Sequence, residues 1–183
     1  ALGGSMFAAT LASVILSKEE ENHTGEFTYT LPVSRGKTVV VKYASVLCML
    51  AAFTVLCALF YQTGFCALGE KGVRSDFLSF MAFQFMMNTE VAAICFLISA
   101  VSRKNRLGLG ISIPVILYVY DLMARVVPAL EDAKFLSPFA YANATEIFSH
   151  AEKSAPALLV GAVVIVGLTG ASGVFYTRRD LAS

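Results

Sequence analysis

The sequence predicts an all-α protein whose chain crosses a lipid bilayer several times, and three observations lead to this prediction. Hydrophobic residues make up 57% of the 183 positions, and charged residues make up only 15%. A typical soluble domain is about 45–50% apolar and about 25% charged, so this chain has more apolar surface than a soluble core of its length can bury. The apolar residues form long runs without the sustained period-2 alternation of membrane β-barrels.

The charge balance and the reactive side chains exclude several function classes. A net charge of +1 offers no bulk electrostatic attraction to nucleic acid. No C-x-x-C pair and no nucleophile–base pair is present, so we expect no metal site, no bound cofactor and no catalytic centre. The cysteines and histidines that could bind a metal are too widely spaced to form a ligand set: Cys48, Cys57, Cys66, Cys95, His23 and His150.

Five segments are apolar enough to be membrane spans, since a spanning helix needs about 20 mainly apolar residues. They cover residues 2–16, 44–68, 77–101, 107–127 and 155–176. The first segment is shorter than this requirement, so we expect that its beginning is missing. The whole of residues 1–183 is therefore predicted to form a single transmembrane domain.

The basic residues predict how these spans are oriented. Nine of the 14 Lys and Arg residues lie on one side if the 18–42 segment, the 103–106 turn and the C-terminus all face the cytoplasm. The positive-inside rule favours that arrangement. The long outer connection, residues 128–154, contains too many apolar and aromatic residues for a solvated linker. We expect short helices that lie at or dip into the outer membrane surface and cover the outer end of the path.

The inner segment, residues 18–42, has the composition of a short interfacial helix. Phe27 and Leu31 can lie on the membrane surface while Glu26 faces water. Thr24 is suited to begin the helix and Pro32 to end it. A rigid element between two spans can transmit motion from a soluble partner into both of them.

The same segment resembles the permease subunits of ABC type 2 exporters. Its acidic lead, its Thr and Glu, its Pro-x-Ser-Arg core and its closing Lys match the family's coupling helix, although His23 stands where the family commonly has Gly. The matching residues are Glu20, Glu21, Thr24, Glu26, Pro32, Ser34, Arg35 and Lys42. Three further segments match in order along the chain: 97–106, 135–141 and 176–181.

The resemblance implies a function and a set of partners. Such a permease has six spans when intact, resides in the cell membrane of a bacterium or archaeon, and pairs with a second permease copy, identical or related. A separate ATPase subunit binds ATP and Mg²⁺ and docks on the coupling helix. Phe27 and Tyr29 are the expected apolar anchors of that docking site, because buried aromatic residues dominate interface energies.

Glu90 and Asn88 lie near the middle of the third span and are candidates for the translocation path. A carboxylate at mid-membrane is costly, so it usually faces a cavity or a partner, which suits a translocation path or a proton-binding site. The alternative is a hydrogen-bonded carboxyl packed between helices. Asp121 and Arg125, four residues apart on one helix face, are expected to form a structural ion pair.

Two other functions compete with the exporter interpretation. An ion-coupled carrier or an integral membrane enzyme would use Glu90 and work without an ATPase. A non-transporting membrane assembly subunit would move no substrate even beside an active ATPase. An ATPase gene next to this one would favour the exporter.

Overall fold

A computed structural model describes residues 1–16, 34–69, 74–102, 106–148 and 155–178. Regular structure within these ranges is entirely helical, which confirms the predicted all-α membrane protein. In chain order the helices are α1 (Leu2–Val14), α2 (Arg35–Ala67), α3 (Arg74–Val101), α4 (Leu107–Val126), a 3-10 helix (Pro128–Leu136), α5 (Ala144–Phe148) and α6 (Ala155–Arg178).

Four of these helices are long and apolar enough to cross a membrane: α2, α3, α4 and α6. Helix α1 is apolar but has 13 residues, which gives a length of about 20 Å at 1.5 Å per residue. The hydrocarbon core of a bilayer is about 30 Å thick. Helix α1 therefore spans only part of that thickness within the described residues.

Helix α2 begins earlier than the sequence suggested. The span was predicted to start at residue 44, with residues 18–42 assigned to the coupling segment, but the helix starts at Arg35. Ser34 has an extended backbone, and its side chain accepts a hydrogen bond from the Lys37 backbone N–H at 3.4 Å. The apolar count missed these first two turns because Lys37 and Lys42 are polar, although polar residues are compatible with a helix that extends beyond the lipid.

Helix α3 lies at the centre and packs against α1, α2 and α6. Its core contacts with α1 are made by small residues, including Ala8 and Ala12 on α1 and Ala92 on α3, all fully buried. At the crossing of α1 and α4, Gly110 lies so close to α1 that a Cβ atom there would be 2.5 Å from the Ser13 Cβ. Small side chains allow helix backbones to approach closely, which is how helices associate in lipid.

Helices α2 and α6 form the periphery. Large apolar side chains such as Phe60 and Val163 are more than two-thirds exposed, at 76% and 71%. In water this surface would be unfavourable, but lipid tails are as apolar as these side chains. These helices therefore present their apolar faces to the bilayer.

Candidate functional site

The outer segment that follows α4 turns back into the helix bundle. Residues 137–142 are all buried, and two side chains tie the segment to α4. The Tyr120 hydroxyl donates to the Ala133 carbonyl at 2.9 Å, and the Ser137 hydroxyl donates to the Leu117 carbonyl at 3.3 Å. Leu117 lies midway along α4, so the described part of the segment, 128–148, enters the bundle.

Two further hydrogen bonds fix the segment to α3. The Gln84 side-chain amide donates to the Ala142 carbonyl at 2.9 Å. The Tyr141 hydroxyl donates to Oε2 of Glu90 at 2.7 Å. Glu90 is 16 residues beyond the start of α3, a distance of about 24 Å along the helix. The segment thus reaches the middle of the membrane-spanning bundle.

Glu90 and Tyr141 form an enclosed polar pair. Glu90 is 3% exposed and Tyr141 is 6% exposed. The Tyr141 hydroxyl is the donor of this pair and the Glu90 carboxyl is the acceptor. A short hydrogen bond of this kind offsets part of the cost of placing a carboxyl group in a low-dielectric interior.

A glycine on α6 makes room for this pair. A Cβ atom at Gly161 would lie 2.8 Å from Oε2 of Glu90 and 3.2 Å from the Tyr141 hydroxyl. Real Cβ atoms do not approach other atoms so closely, so a larger residue would displace the carboxyl group or the phenol. Three elements therefore meet at this point: α3, α6 and the outer segment.

Asn88 faces a different part of the bundle. It lines a small cavity of about 80 Å³ between α1, α2 and α3, together with Gly4, Thr54 and Gln84. Asn88 is 3% exposed, and its Oδ1 atom has no hydrogen-bond partner among the described residues. The structure therefore does not bring the two predicted path residues together, because positions two apart on a helix point to different sides.

Asp121 and Arg125 form an ion pair on α4 with N–O distances of 2.8 and 3.2 Å. The Asp121 side chain is 4% exposed and the Arg125 side chain 25%. The pair lies in the C-terminal part of α4, apart from Glu90. Its geometry is that of the i, i+4 contact expected for a structural pair.

The predicted ATPase-docking residues fall mainly outside the described residues. This applies to Glu20, Glu21, Thr24, Glu26, Phe27, Tyr29 and Pro32. Arg35 is the first residue of α2, where the backbone is described. The docking site remains a prediction.

Three residues at this site were not singled out from the sequence: Gln84 and Tyr141, which hold the outer segment against α3, and Gly161, which leaves room for the buried pair. Gln84 carried a usable signal, since it adds a polar side chain to the predicted span that already holds Asn88 and Glu90. Tyr141 belongs to the segment 135–141 that matches the family, but that match gave it no role. Gly161 carried no signal, because small residues are ordinary in membrane helices.

A sequence model described as "ABC-2 family transporter protein" matches residues 1–181, nearly the whole chain. The chain belongs to the ABC-2 transporter family. It is a multi-pass membrane protein and a transport permease. Membership implies an ABC transporter system with an ATPase partner. Searches of curated proteins and of solved structures found no significant match to the chain.

Proposed function

We propose that this ABC-2 permease is the membrane subunit of an ATP-driven exporter. The family match over residues 1–181 carries this proposal. In it, two permease copies, identical or related, enclose a path between them in the cell membrane. Each copy binds a separate ATPase that holds ATP and Mg²⁺, and the permease supplies no covalent chemistry.

The coupling segment gives the ATPase a route to the helix bundle. Residues 18–34 precede α2, and α2 packs against the central helix α3. Lys42 on α2 donates to the Ile15 carbonyl near the end of α1 at 2.9 Å, so the inner ends of α1 and α2 are joined. A push on the coupling segment can thus move both helices as one unit.

The outer segment is suited to close the outer end of the path. Four side-chain hydrogen bonds hold it in the bundle, and its deepest contact is the pair of Tyr141 with Glu90. Outward opening would require this segment to shift, which breaks the pair. Once the pair is broken, the Glu90 carboxyl group becomes accessible and can face the path.

The decisive experiment tests ATPase docking. Phe27→Ala combined with Arg35→Glu should release the ATPase from detergent-purified permease and abolish transport, while the permease stays folded. A matched control is Phe175→Ala with Arg106→Glu, which changes the same residue types at exposed positions outside the coupling segment. Co-purification of the ATPase at the wild-type ratio with the first variant would contradict the docking site.

The orientation is tested by single-cysteine labelling from outside intact cells, after the four native cysteines are replaced. Position 75 should be labelled and position 183 protected, because the C-terminus is proposed to be cytoplasmic. The reverse pattern would invert the topology and remove the coupling segment from the ATPase side.

Glu90→Gln separates charge from shape at the buried pair. The Gln side-chain oxygen still accepts from Tyr141, so we expect normal expression and ATPase binding with reduced transport. If the variant transports at the wild-type rate, Glu90 has only a packing role. ATP-independent transport by the wild type would instead support the ion-coupled carrier.

A further inference from the structure

An apolar groove of about 770 Å³ lies between the first third of α2 and the second half of α6. Its α2 wall includes Gly36, Val40 and Leu47, and its α6 wall includes Val166 and Gly170. From Gly36 to Leu47 the groove extends about 16 Å along α2. This is half the thickness of a bilayer's hydrocarbon core, so the groove has the length of one leaflet.

Two hydroxyl groups lie in the walls of the groove. Tyr43 and Thr169 line it from opposite helices, and their hydroxyl groups face each other with both oxygen atoms buried. Tyr43 lies seven residues past Gly36, about 10 Å from that end of the groove. Because the two hydroxyls can pair with each other, the groove beyond this point presents an apolar surface.

The end of the groove at Gly36 is positively charged. Lys37 and Arg178 are exposed and directly follow two lining residues, Gly36 and Thr177. The N-terminus of α2, capped by Ser34, lies at the same end. Neither wall, residues 34–47 or 165–178, contains Asp or Glu. The C-terminus of α6 lies at this end too and opposes the N-terminus of α2, so the two cationic side chains are what favour a phosphate group here.

We propose that this groove binds one anionic phospholipid of the cytoplasmic leaflet. Its phosphate lies at Lys37 and Arg178, and one acyl chain follows the apolar walls past Tyr43 and Thr169. The leaflet assignment rests on the orientation proposed above. The groove itself depends on neither the direction of transport nor the ATPase.

Native mass spectrometry of the purified full chain tests the proposal, using phosphatidylglycerol and phosphatidylcholine with identical acyl chains. We expect phosphatidylglycerol to be retained roughly tenfold more than phosphatidylcholine, because two cations near the phosphate favour the anionic headgroup. Lys37→Gln with Arg178→Gln should remove this preference, so that the two lipids are retained equally. Equal retention of the two lipids by the wild type would overturn the proposal.

A pair of glycine variants tests the groove itself. Gly170→Leu fills it, and Gly167→Leu is the matched control on the same helix, because it does not line the groove. A Cβ atom at either glycine meets nothing within 4 Å among the described residues, so both variants should fold. Retained phosphatidylglycerol should fall about tenfold for Gly170→Leu and stay at the wild-type level for Gly167→Leu.

Another occupant would give a different result. The alternative result is that a cysteine at position 170 cross-links to a second copy of the chain or to residues 17–33. Either cross-link, together with no phospholipid retained by the wild type, would assign the groove to the cross-linked partner and overturn the proposal. Neither measurement depends on transport or ATPase binding. Failure here therefore leaves the exporter proposal to its own docking experiment.

Discussion

Helices α3 and α2 are both long enough to cross a bilayer, yet they occupy opposite environments. Over its most apolar stretch, 56% of α3 is buried within the protein, against 11% of α2. Helix α3 has the lower mean hydropathy of the two, and it carries Gln84, Asn88 and Glu90. The less apolar helix is therefore the buried one, which reverses the rule for proteins in water.

The reversal follows from the solvent. Lipid tails accept apolar side chains without penalty, so α2 gains little by burying Phe60 or Leu59. A carboxyl or amide group finds no partner in lipid and must be satisfied inside the protein. Helix α6 behaves like α2, since only 11% of its most apolar stretch is buried. For α4 the buried share is intermediate, at 22%. Polar content thus decides which helix is central.

The largest effect is expected where small residues bring α1 and α4 together. A Cβ atom at Gly110 would lie 2.5 Å from the Ser13 Cβ and 2.6 Å from its Oγ. The Ser13 Oγ can rotate away but its Cβ is fixed to the backbone, so Gly110→Ala must separate the helices, and we expect a loss of about 1–3 kcal/mol. Gly108→Ala on the same helix has open space and should be neutral or slightly stabilising. Thermal unfolding in detergent measures the stability of both variants. Equal stabilities of Gly110→Ala and Gly108→Ala would contradict the close packing of α1 and α4.

A smaller loss is expected for Gly161→Ala, at the contact of α6 with the buried pair. The Glu90 carboxyl group and the Met86 methyl group are flexible and can turn aside, so we expect about 1 kcal/mol. The displaced carboxyl would release Tyr141, and hydrogen exchange over residues 137–142 should speed up. Gly167→Ala should leave this exchange unchanged. Protection at the wild-type level in Gly161→Ala would show that the segment is held by other contacts.

Tyr141→Phe isolates the hydrogen bond from the packing. It removes one donor and leaves Glu90 buried without this partner, for an expected loss of about 1 kcal/mol. Tyr61→Phe on α2 is the matched control, because Tyr61 is 53% exposed and should change stability very little. Chemical unfolding of the two variants provides the comparison. A loss no larger than that of Tyr61→Phe would mean that the pair adds nothing to stability.

The smallest effect is expected on the lipid-facing surface of α2. Leu59 is 58% exposed, and Leu59→Ala should change stability by no more than about 0.5 kcal/mol. Thermal unfolding at several protein concentrations checks this. A larger, concentration-dependent loss would show that a second copy covers this surface, and α2 would then no longer be a purely lipid-facing helix.

Much of the architecture could be predicted from the sequence because lipid imposes simple requirements. Apolar runs of sufficient length located α2, α3, α4 and α6. The family resemblance, which included Ser34 and Arg35, is confirmed by the family match. Boundaries were less predictable. The start of α2 was placed nine residues late because hydropathy detects contact with lipid, whereas a helix continues as long as its backbone is hydrogen-bonded.

The sequence by itself determined the class, the family and the presence of a costly carboxyl group in the third span. Only the tertiary structure decided what satisfies that group. Tyr141 lies 51 residues from Glu90 along the chain, and Gly161 lies 20 residues further on, so no local pattern connects the three. They meet because the buried Glu90 carboxyl group needs a hydrogen-bond donor, which Tyr141 supplies, and needs space, which Gly161 leaves. Both conditions depend on how the whole bundle packs.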